Sequence, residues 1–504
     1  MQGGLSNRLV CLLAAGVLAA CSAGVLAQDD PGGMSYLGEE GLGFGSNLGT
    51  PLEVARQPSG QFVSDGMMRA EAKEPPDLAA RVKDLEAALK KIKDKEEADK
   101  KKAAGKPSVT ASGRIHFDMN RFSQNAASMA QVGDLQSGVG FRRARLRLLG
   151  DAFDVISYCA EFDFAGSPGT AGSATASYKD VYIQVNELPY VGHFRVGHFK
   201  EPFGLEQLTS SNYISFMERS VNDEGAIVPG RDIGAMLFNA TENERATAAI
   251  GVFTSDPRQV DNPPFWLNDN GGYALTARAT LLPWYDEATN GRGLVHLGAA
   301  YSYRDNDAAV NYRFRTRPEA SLSPRVIDLQ LANVDYVQLL GGEAAAVYGP
   351  LSVQGEYFSA YVERTAGNID PAFHGGYAFV SYFLTGEHRP YRRANGCFDR
   401  VKPHENFFLV RDCDGCVRSG KGAWELLYRF SYLDMLDNLP IAGPAAANGA
   451  GWIADHTVGV NWYLNPYTRV MFNYVWTHMS RVTNNQLISG GRIETLEMRA
   501  QIDF

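Results

Sequence analysis

The last nine residues constrain this chain most. Leu496, Met498, Ala500, Ile502 and Phe504 alternate with Glu497, Arg499, Gln501 and Asp503. A period of two sends successive side chains to opposite faces of a strand, so this strand separates an apolar medium from a wet one. In a soluble sandwich the apolar face meets a second sheet. In an outer-membrane barrel it meets lipid, and the polar face lines a lumen.

The rest of the chain favours the barrel. Ile115, Phe117 and Met119 oppose Arg114, His116, Asp118 and Asn120; Val181, Ile183 and Val185 oppose Asp180, Tyr182, Gln184 and Asn186. Val458, Val460, Trp462 and Leu464 likewise oppose Thr457, Gly459, Asn461 and Tyr463, and the polar rows carry too many charges and amides to form a second core. About sixteen such segments begin near Thr110, Phe141, Asp154, Tyr178, His193, Arg231, Arg245, Gly272, Leu294, Gly342, Leu351, His374, Gly422, Ala454, Thr468 and Arg492. Their connections alternate between long and short, the short ones falling at 150–153, 188–192, 239–244, 350 and 465–467. Long loops on one side and tight turns on the other are the asymmetry of an outer-membrane barrel with both termini in the periplasm. The stretch Gly386 to Lys421 breaks the rule, being long on the short side. The expected fold class is all-β, a transmembrane antiparallel β-barrel of about sixteen strands in the bacterial outer membrane.

With 23 Tyr, 26 Phe and 52 Gly, the chain is rich in aromatic and turn residues. Past the N-terminus no stretch reaches the roughly 18 uninterrupted apolar residues of a spanning helix. An integral protein of this composition must therefore close a sheet, because only helices and closed barrels satisfy their backbone groups in lipid. Arg8 precedes an apolar run from Leu9 to Ala20, and Val25-Leu26-Ala27 before Gln28 forms a signal-peptidase site, giving a signal peptide over 1–27. Leu18-Ala19-Ala20-Cys21 offers a competing lipoprotein box with Cys21 as the lipidated residue. Residues 28–76, where Gly, Ser and Pro interrupt every apolar cluster, read as disordered. Over 77–106, Leu78, Val82, Leu85, Leu89 and Ile92 form a short heptad seam leading into a charged linker, and the barrel occupies 107–504. That helix either self-associates or lies on another surface.

A barrel of this size encloses water, so selectivity rests on what lines and narrows it. In Phe141-Arg142-Arg143-Ala144-Arg145-Leu146-Arg147-Leu148, alternation places Ala144, Leu146 and Leu148 in lipid and Arg143, Arg145 and Arg147 in the lumen, with Arg142 on the outward row. Guanidinium groups stay charged at any relevant pH and match phosphate or carboxylate oxygens. Against a net charge of -9 such a basic wall is informative. It can guide anions, or it can brace against Glu161 and Asp163 on the adjacent strand. The connection Lys200 to Gly230 is more apolar than a solvated loop, with Pro202, Phe203, Gly204 and Leu205 ahead of Thr209-Ser210-Ser211. Folded inward it constricts the pore and brings Lys200, Glu201, Glu206 and Arg219 near passing ions; otherwise it is an external lid.

Cys11 and Cys21 belong to the signal region, leaving Cys159, Cys397, Cys413 and Cys416. Cys413-Asp414-Gly415-Cys416 falls in the anomalous connection, and an exported protein uses such a pair in a structural disulfide more readily than in a metal site with too few ligands. Cys397 to either of the other two is the expected bridge. The chain has no Gly-x-Ser-x-Gly elbow and no His-Glu-x-x-His pair, so no enzyme, cofactor or nucleic-acid partner is expected. A structural protein that tethers the outer membrane to the cell wall through its coiled coil, with a non-selective pore, is the alternative reading.

Several stretches resemble the phosphate-selective porin O and P family: Gly113-Arg114-Ile115, Phe141 to Ala144, Phe203-Gly204-Leu205-Glu206 with Thr209 to Ser211, Leu384-Thr385-Gly386-Glu387, Gly422 to Leu426 and His456 to Tyr463. The resemblance runs from Val109 to Phe504. It implies a homotrimer of sixteen-stranded barrels in outer-membrane lipid, each with a constricting third loop and basic residues that draw small anions such as phosphate inward. Carried over by motif, Arg114, Arg142 and Arg143 fall on the family's anion path and Asp180 near its constriction. Alternation and resemblance disagree on Arg142, and a bulge would reconcile them. After Phe203-Gly204-Leu205-Glu206 the family has a lysine where this chain has Gln207, which cannot supply a charge. Lys200 is the candidate replacement.

Overall fold

Sixteen alternating segments become sixteen strands, and the sheet they form closes on itself. In the computed structural model these are β1 (Thr110–Gln124), β2 (Gly138–Ala152), β3 (Ile156–Asp163), β4 (Ser177–Leu188), β5 (Gly192–Lys200), β6 (Arg231–Ala240), β7 (Ala246–Ser255) and β8 (Gly272–Tyr285). They continue as β9 (Gly293–Asp305), β10 (Val334–Tyr348), β11 (Leu351–Arg364), β12 (Ala372–Phe383), β13 (Ala423–Asp434), β14 (Gly451–Asn465), β15 (Thr468–Thr483) and β16 (Gln486–Asp503). The structure describes residues 107–504 except 167–175, 224, 256–271, 307–310, 366–367 and 412–414, and upstream only the helical Ala87, Lys90, Lys91 and Lys93. The expected signal peptide, disordered segment and heptad positions lie outside the described residues.

Chain neighbours pair antiparallel all the way round, and β1 pairs with β16 to seal the cylinder. At the seam the Gly113 N–H donates to the Phe504 carbonyl at 2.7 Å, and the Phe504 N–H returns a bond of 3.0 Å. A side chain at Gly113 would sit 2.5 Å from the Phe504 ring and 2.6 Å from the Arg145 carbonyl, so the strand accepts only glycine there. Outward rows such as Ile115, Phe117 and Met119 are exposed, whereas His116, Asp118 and Asn120 between them are buried inside. The aqueous side of this sheet is thus its crowded side, and the bare apolar side is left for lipid.

Two strands start earlier than their patterns suggest. β10 begins at Val334 rather than Gly342, because a register shift between Val334 and Tyr336 interrupts the alternation and the inward Val337 and Leu339 are apolar where polar residues are expected. β16 begins at Gln486 rather than Arg492, extended by a hairpin whose two turn residues, Asn484 and Asn485, have φ of 52° and 62°. That left-handed pair makes the tight primed turn that asparagine tolerates.

The lumen is not uniformly polar, which corrects the expectation from the strand pattern. Along β10 to β14 the loop-side half of the inward row is apolar, with Val337, Leu339, Phe358, Phe373 and Ile453 buried. Phe203, Phe216 and Val221 from the β5–β6 connection and Phe314, Val326 and Leu329 from the β9–β10 connection pack on them in one core. Two long connections therefore fold inward and fill one side of the barrel. The anomalous β12–β13 connection folds inward from the opposite end: the Tyr391 hydroxyl meets His296 Nδ1 at 2.7 Å, and the Gly396 carbonyl accepts from Arg278 at 2.8 Å.

Candidate solute pathway

Because core fills the β10–β14 side, open space remains along the β1–β8 wall. A cavity of about 1250 Å³ runs from Asp151 and Glu244 near the short turns to Leu322 and Arg325 in the β9–β10 connection. Among the described residues, fifteen Lys and Arg side chains line it against seven Asp and Glu. The inward rows of β1 to β8 and three inward connections supply these charges, so the lining belongs to the tertiary fold rather than to any one segment.

The β2 arginines settle the disagreement over Arg142. The β1–β2 register shifts between His116 and Phe117, pairing His116 with Arg143 and Phe117 with Phe141, so Arg142 is the extra residue of a bulge. The bulge turns Arg142 and Arg143 into the lumen together. Arg142 forms two bonds of 2.9 Å to Glu218 of the β5–β6 connection, and Arg143 lies 3.9 Å from the same carboxylate. Burial opposes charge on Glu218, but Arg142, Arg143 and Arg499 outweigh it and hold the carboxyl well below the usual range.

Both readings of the basic wall have a structural counterpart. Arg145 is braced, at 2.7 Å from Asp163 and 3.0 Å from Glu161. Arg114 also meets Glu161, at 3.1 Å, while its other arm donates to the Ser211 hydroxyl at 2.9 Å. Arg147 is held more loosely, 3.9 Å from Glu161, with its Nε on the Cys159 sulfur at 3.4 Å. Asp180 lies on the cavity wall in a two-pronged pair with Arg231, at 3.0 and 3.2 Å.

The inward β5–β6 connection is anchored at its entry. A short helix, α1 (Leu205–Leu208), starts after Gly204, whose φ of 78° suits the turn, and the Leu205 and Glu206 N–H groups donate to Glu356 at 2.7 Å each. Burial raises the Glu206 carboxyl even though it accepts Arg429 at 3.0 Å and the Ser220 N–H at 3.0 Å. Glu206 is therefore a strut away from the cavity, not a group beside passing ions. Glu201 is another, buried against Arg304 at 2.7 Å. Arg219 does reach the cavity, its Nε on the Glu206 carbonyl at 2.9 Å and its Nη2 on the Thr209 carbonyl at 3.0 Å.

Gln207 is buried, with its side-chain amide on the Pro229 carbonyl at 3.3 Å, and does not line the cavity. Lys200 does, and its ammonium donates to the Gln207 carbonyl. A positive charge thus stands at residue 207 although residue 207 does not carry it. Among the described residues the expected bridge from Cys397 to Cys416 does not form. Cys397 is a free thiol on the cavity wall in the half of its connection that folds inward, Cys416 follows in an exposed hairpin, and Cys413 lies outside the described residues. Sequence reasoning missed Arg195, Arg231, Arg317, Arg325, Arg392 and Arg393, all of which line the cavity. The odd length of the β12–β13 connection was the available signal for Arg392 and Arg393; nothing in the pattern marked the others.

The family described as "Phosphate-selective porin O and P" matches residues 109–504. The chain belongs to that family. Porin O of Pseudomonas aeruginosa is 27% identical over 399 residues, covering 74% of this chain and 83% of that protein. An uncharacterized protein of Caulobacter vibrioides is 28% identical over 384 residues, covering 74% of this chain and 69% of its own length. Among solved structures, an anion-selective porin from Comamonas acidovorans matches 79% of this chain and 100% of that chain at 14% identity and a TM-score of 0.44. This porin is a channel of the bacterial outer membrane.

Proposed function

We propose that this porin passes small hydrophilic solutes by passive diffusion with a bias toward anions, phosphate or similar, and that three copies assemble as a homotrimer. The observation that carries the bias is the lining, fifteen basic side chains against seven acidic ones in a chain whose net charge is -9. A positive lining in a narrow path with low-dielectric walls raises the local concentration of anions and repels cations. Arg114, Arg142, Arg143, Arg145, Arg147 and Lys200 form the anion path, with Asp180 and Arg219 at its narrowing. The trimer rests on family membership, and the heptad at 77–106 would add a second contact between copies. No catalysis and no cofactor enter this reading.

Reversal potential across a planar bilayer in a potassium chloride gradient tests the bias. The expected sign is that of chloride permeating faster than potassium; the opposite sign overturns the proposal.

A further inference from the structure

Resting on the anion bias just proposed, we infer that this channel favours anions bearing a flat ring, such as aryl phosphates or aromatic carboxylates, through a site centred on Arg195. Most of the arginines placed on the path face a carboxylate: Arg142 at 2.9 Å, Arg145 at 2.7 Å, Arg231 at 3.0 Å and Arg114 at 3.1 Å. Arg195 faces none among the described residues. Its Nε and Nη2 both donate to the amide oxygen of Gln184, at 2.9 and 2.6 Å, and among the described residues Nη1 has no acceptor.

Rings hold it instead. The Arg195 guanidinium lies 4.1 Å from the centre of the Tyr182 ring and 5.0 Å from that of Phe238, and the His193 ring stacks on Phe238 at 5.0 Å with 25° between planes. All four side chains are half-buried and all line the cavity. They stand on the adjacent strands β4, β5 and β6, backed by a buried apolar cluster of Phe199, Met236 and Phe253.

Two physical consequences follow from this arrangement. A guanidinium fixed by rings and an amide keeps its whole positive field for a solute, whereas one paired with a carboxylate does not. Aromatic surface beside open water is also unfavourable unless a solute covers it, and a ring laid on such a surface gains stacking as well as area. A bare phosphate uses only the first of these; an anion with a ring uses both.

Single-channel block of chloride current in the full-length porin tests the site, comparing phenyl phosphate with methyl phosphate. The two share a headgroup and differ in the ring. Phenyl phosphate should block at a concentration about fivefold lower, the size expected of one aromatic contact. Tyr182→Leu and Phe238→Leu should bring that ratio close to one. Equal block by the two phosphates in the unmodified porin overturns the inference, as does a ratio that survives both substitutions. The comparison in the unmodified porin stands even if a variant fails to insert. A cation-selective reversal potential would remove the anion bias itself, whereas equal block in an anion-selective channel removes only the ring preference.

Discussion

Arg142 closes a two-pronged ion pair on Glu218, with Nε–Oε1 and Nη2–Oε2 both at 2.9 Å. This pair ties the bulge of β2 to the inward β5–β6 connection, and Arg499 reaches the same carboxylate at 2.6 Å. One acidic side chain therefore neutralises part of three arginines, of which Arg142 and Arg143 line the cavity. Glu218→Gln should shift the reversal potential further toward chloride and raise open-channel noise as the connection loosens. An unchanged reversal potential would show that these arginines do not face the permeating ion.

The same carboxyl fixes a pH response. Its value in the folded state is depressed, so its contribution is present above the ordinary carboxylate range and is lost only as pH falls through the depressed value. Open-channel noise should stay flat from neutral pH down to 4.5, the ordinary value of a glutamate. A rise in noise within that window, recorded in the same bilayer, would contradict the anchoring role.

Arg429 joins two inward connections to β13. Fully buried, it meets Glu206 at 3.0 Å and Glu319 at 2.5 Å. Arg429→Met leaves both carboxylates without their cation, a change of the kind that destabilises by about 3–5 kcal/mol. Urea unfolding from lipid vesicles should show that loss, and pairing the substitution with Glu206→Gln should recover part of it.

Lys200, not residue 207, supplies the charge at the entry of the constricting connection. Lys200→Gln should weaken phosphate block of chloride current by about tenfold, the scale of one lost charge-assisted hydrogen bond. Gln207→Lys in the unmodified background should not tighten block, because that side chain points into the connection toward Pro229. Tighter block in Gln207→Lys would mean that the connection presents residue 207 to the path.

Cys397 lies on the cavity wall, and burial pushes its thiol up. A negatively charged methanethiosulfonate reagent should reduce the current, faster as pH rises and more thiolate forms. Cys397→Ser should abolish the effect. Equal inhibition in that variant would assign the reaction to another cysteine.

The barrel was legible in the sequence because lipid and water impose a period of two that no neighbouring segment can alter. Leu496 to Phe504 and Gly113-Arg114-Ile115 each read correctly alone, and they pair as the alternation requires. Arg143, Arg145 and Arg147 were likewise placed in the lumen by their spacing. What the period cannot register is an interruption of itself, so Arg142 needed the bulge opposite His116 and Phe117 before its direction was fixed.

Only the tertiary structure decided how the interior is divided. Phe358 and Phe373 face inward on strands whose outward row is also apolar, and their role became visible only when Phe203 and Phe314 arrived from distant connections. Glu206 and Lys200 show the same limit. Both are charged and lie near the same motif, yet one is drawn into a strut by Arg429 and the other is left at the path. Alternation along a strand is enforced locally by the pleat. Which inward charges are neutralised depends on contacts between different segments, 76 positions apart for Arg142 and Glu218 and 223 for Arg429 and Glu206, and those exist only after the chain has closed.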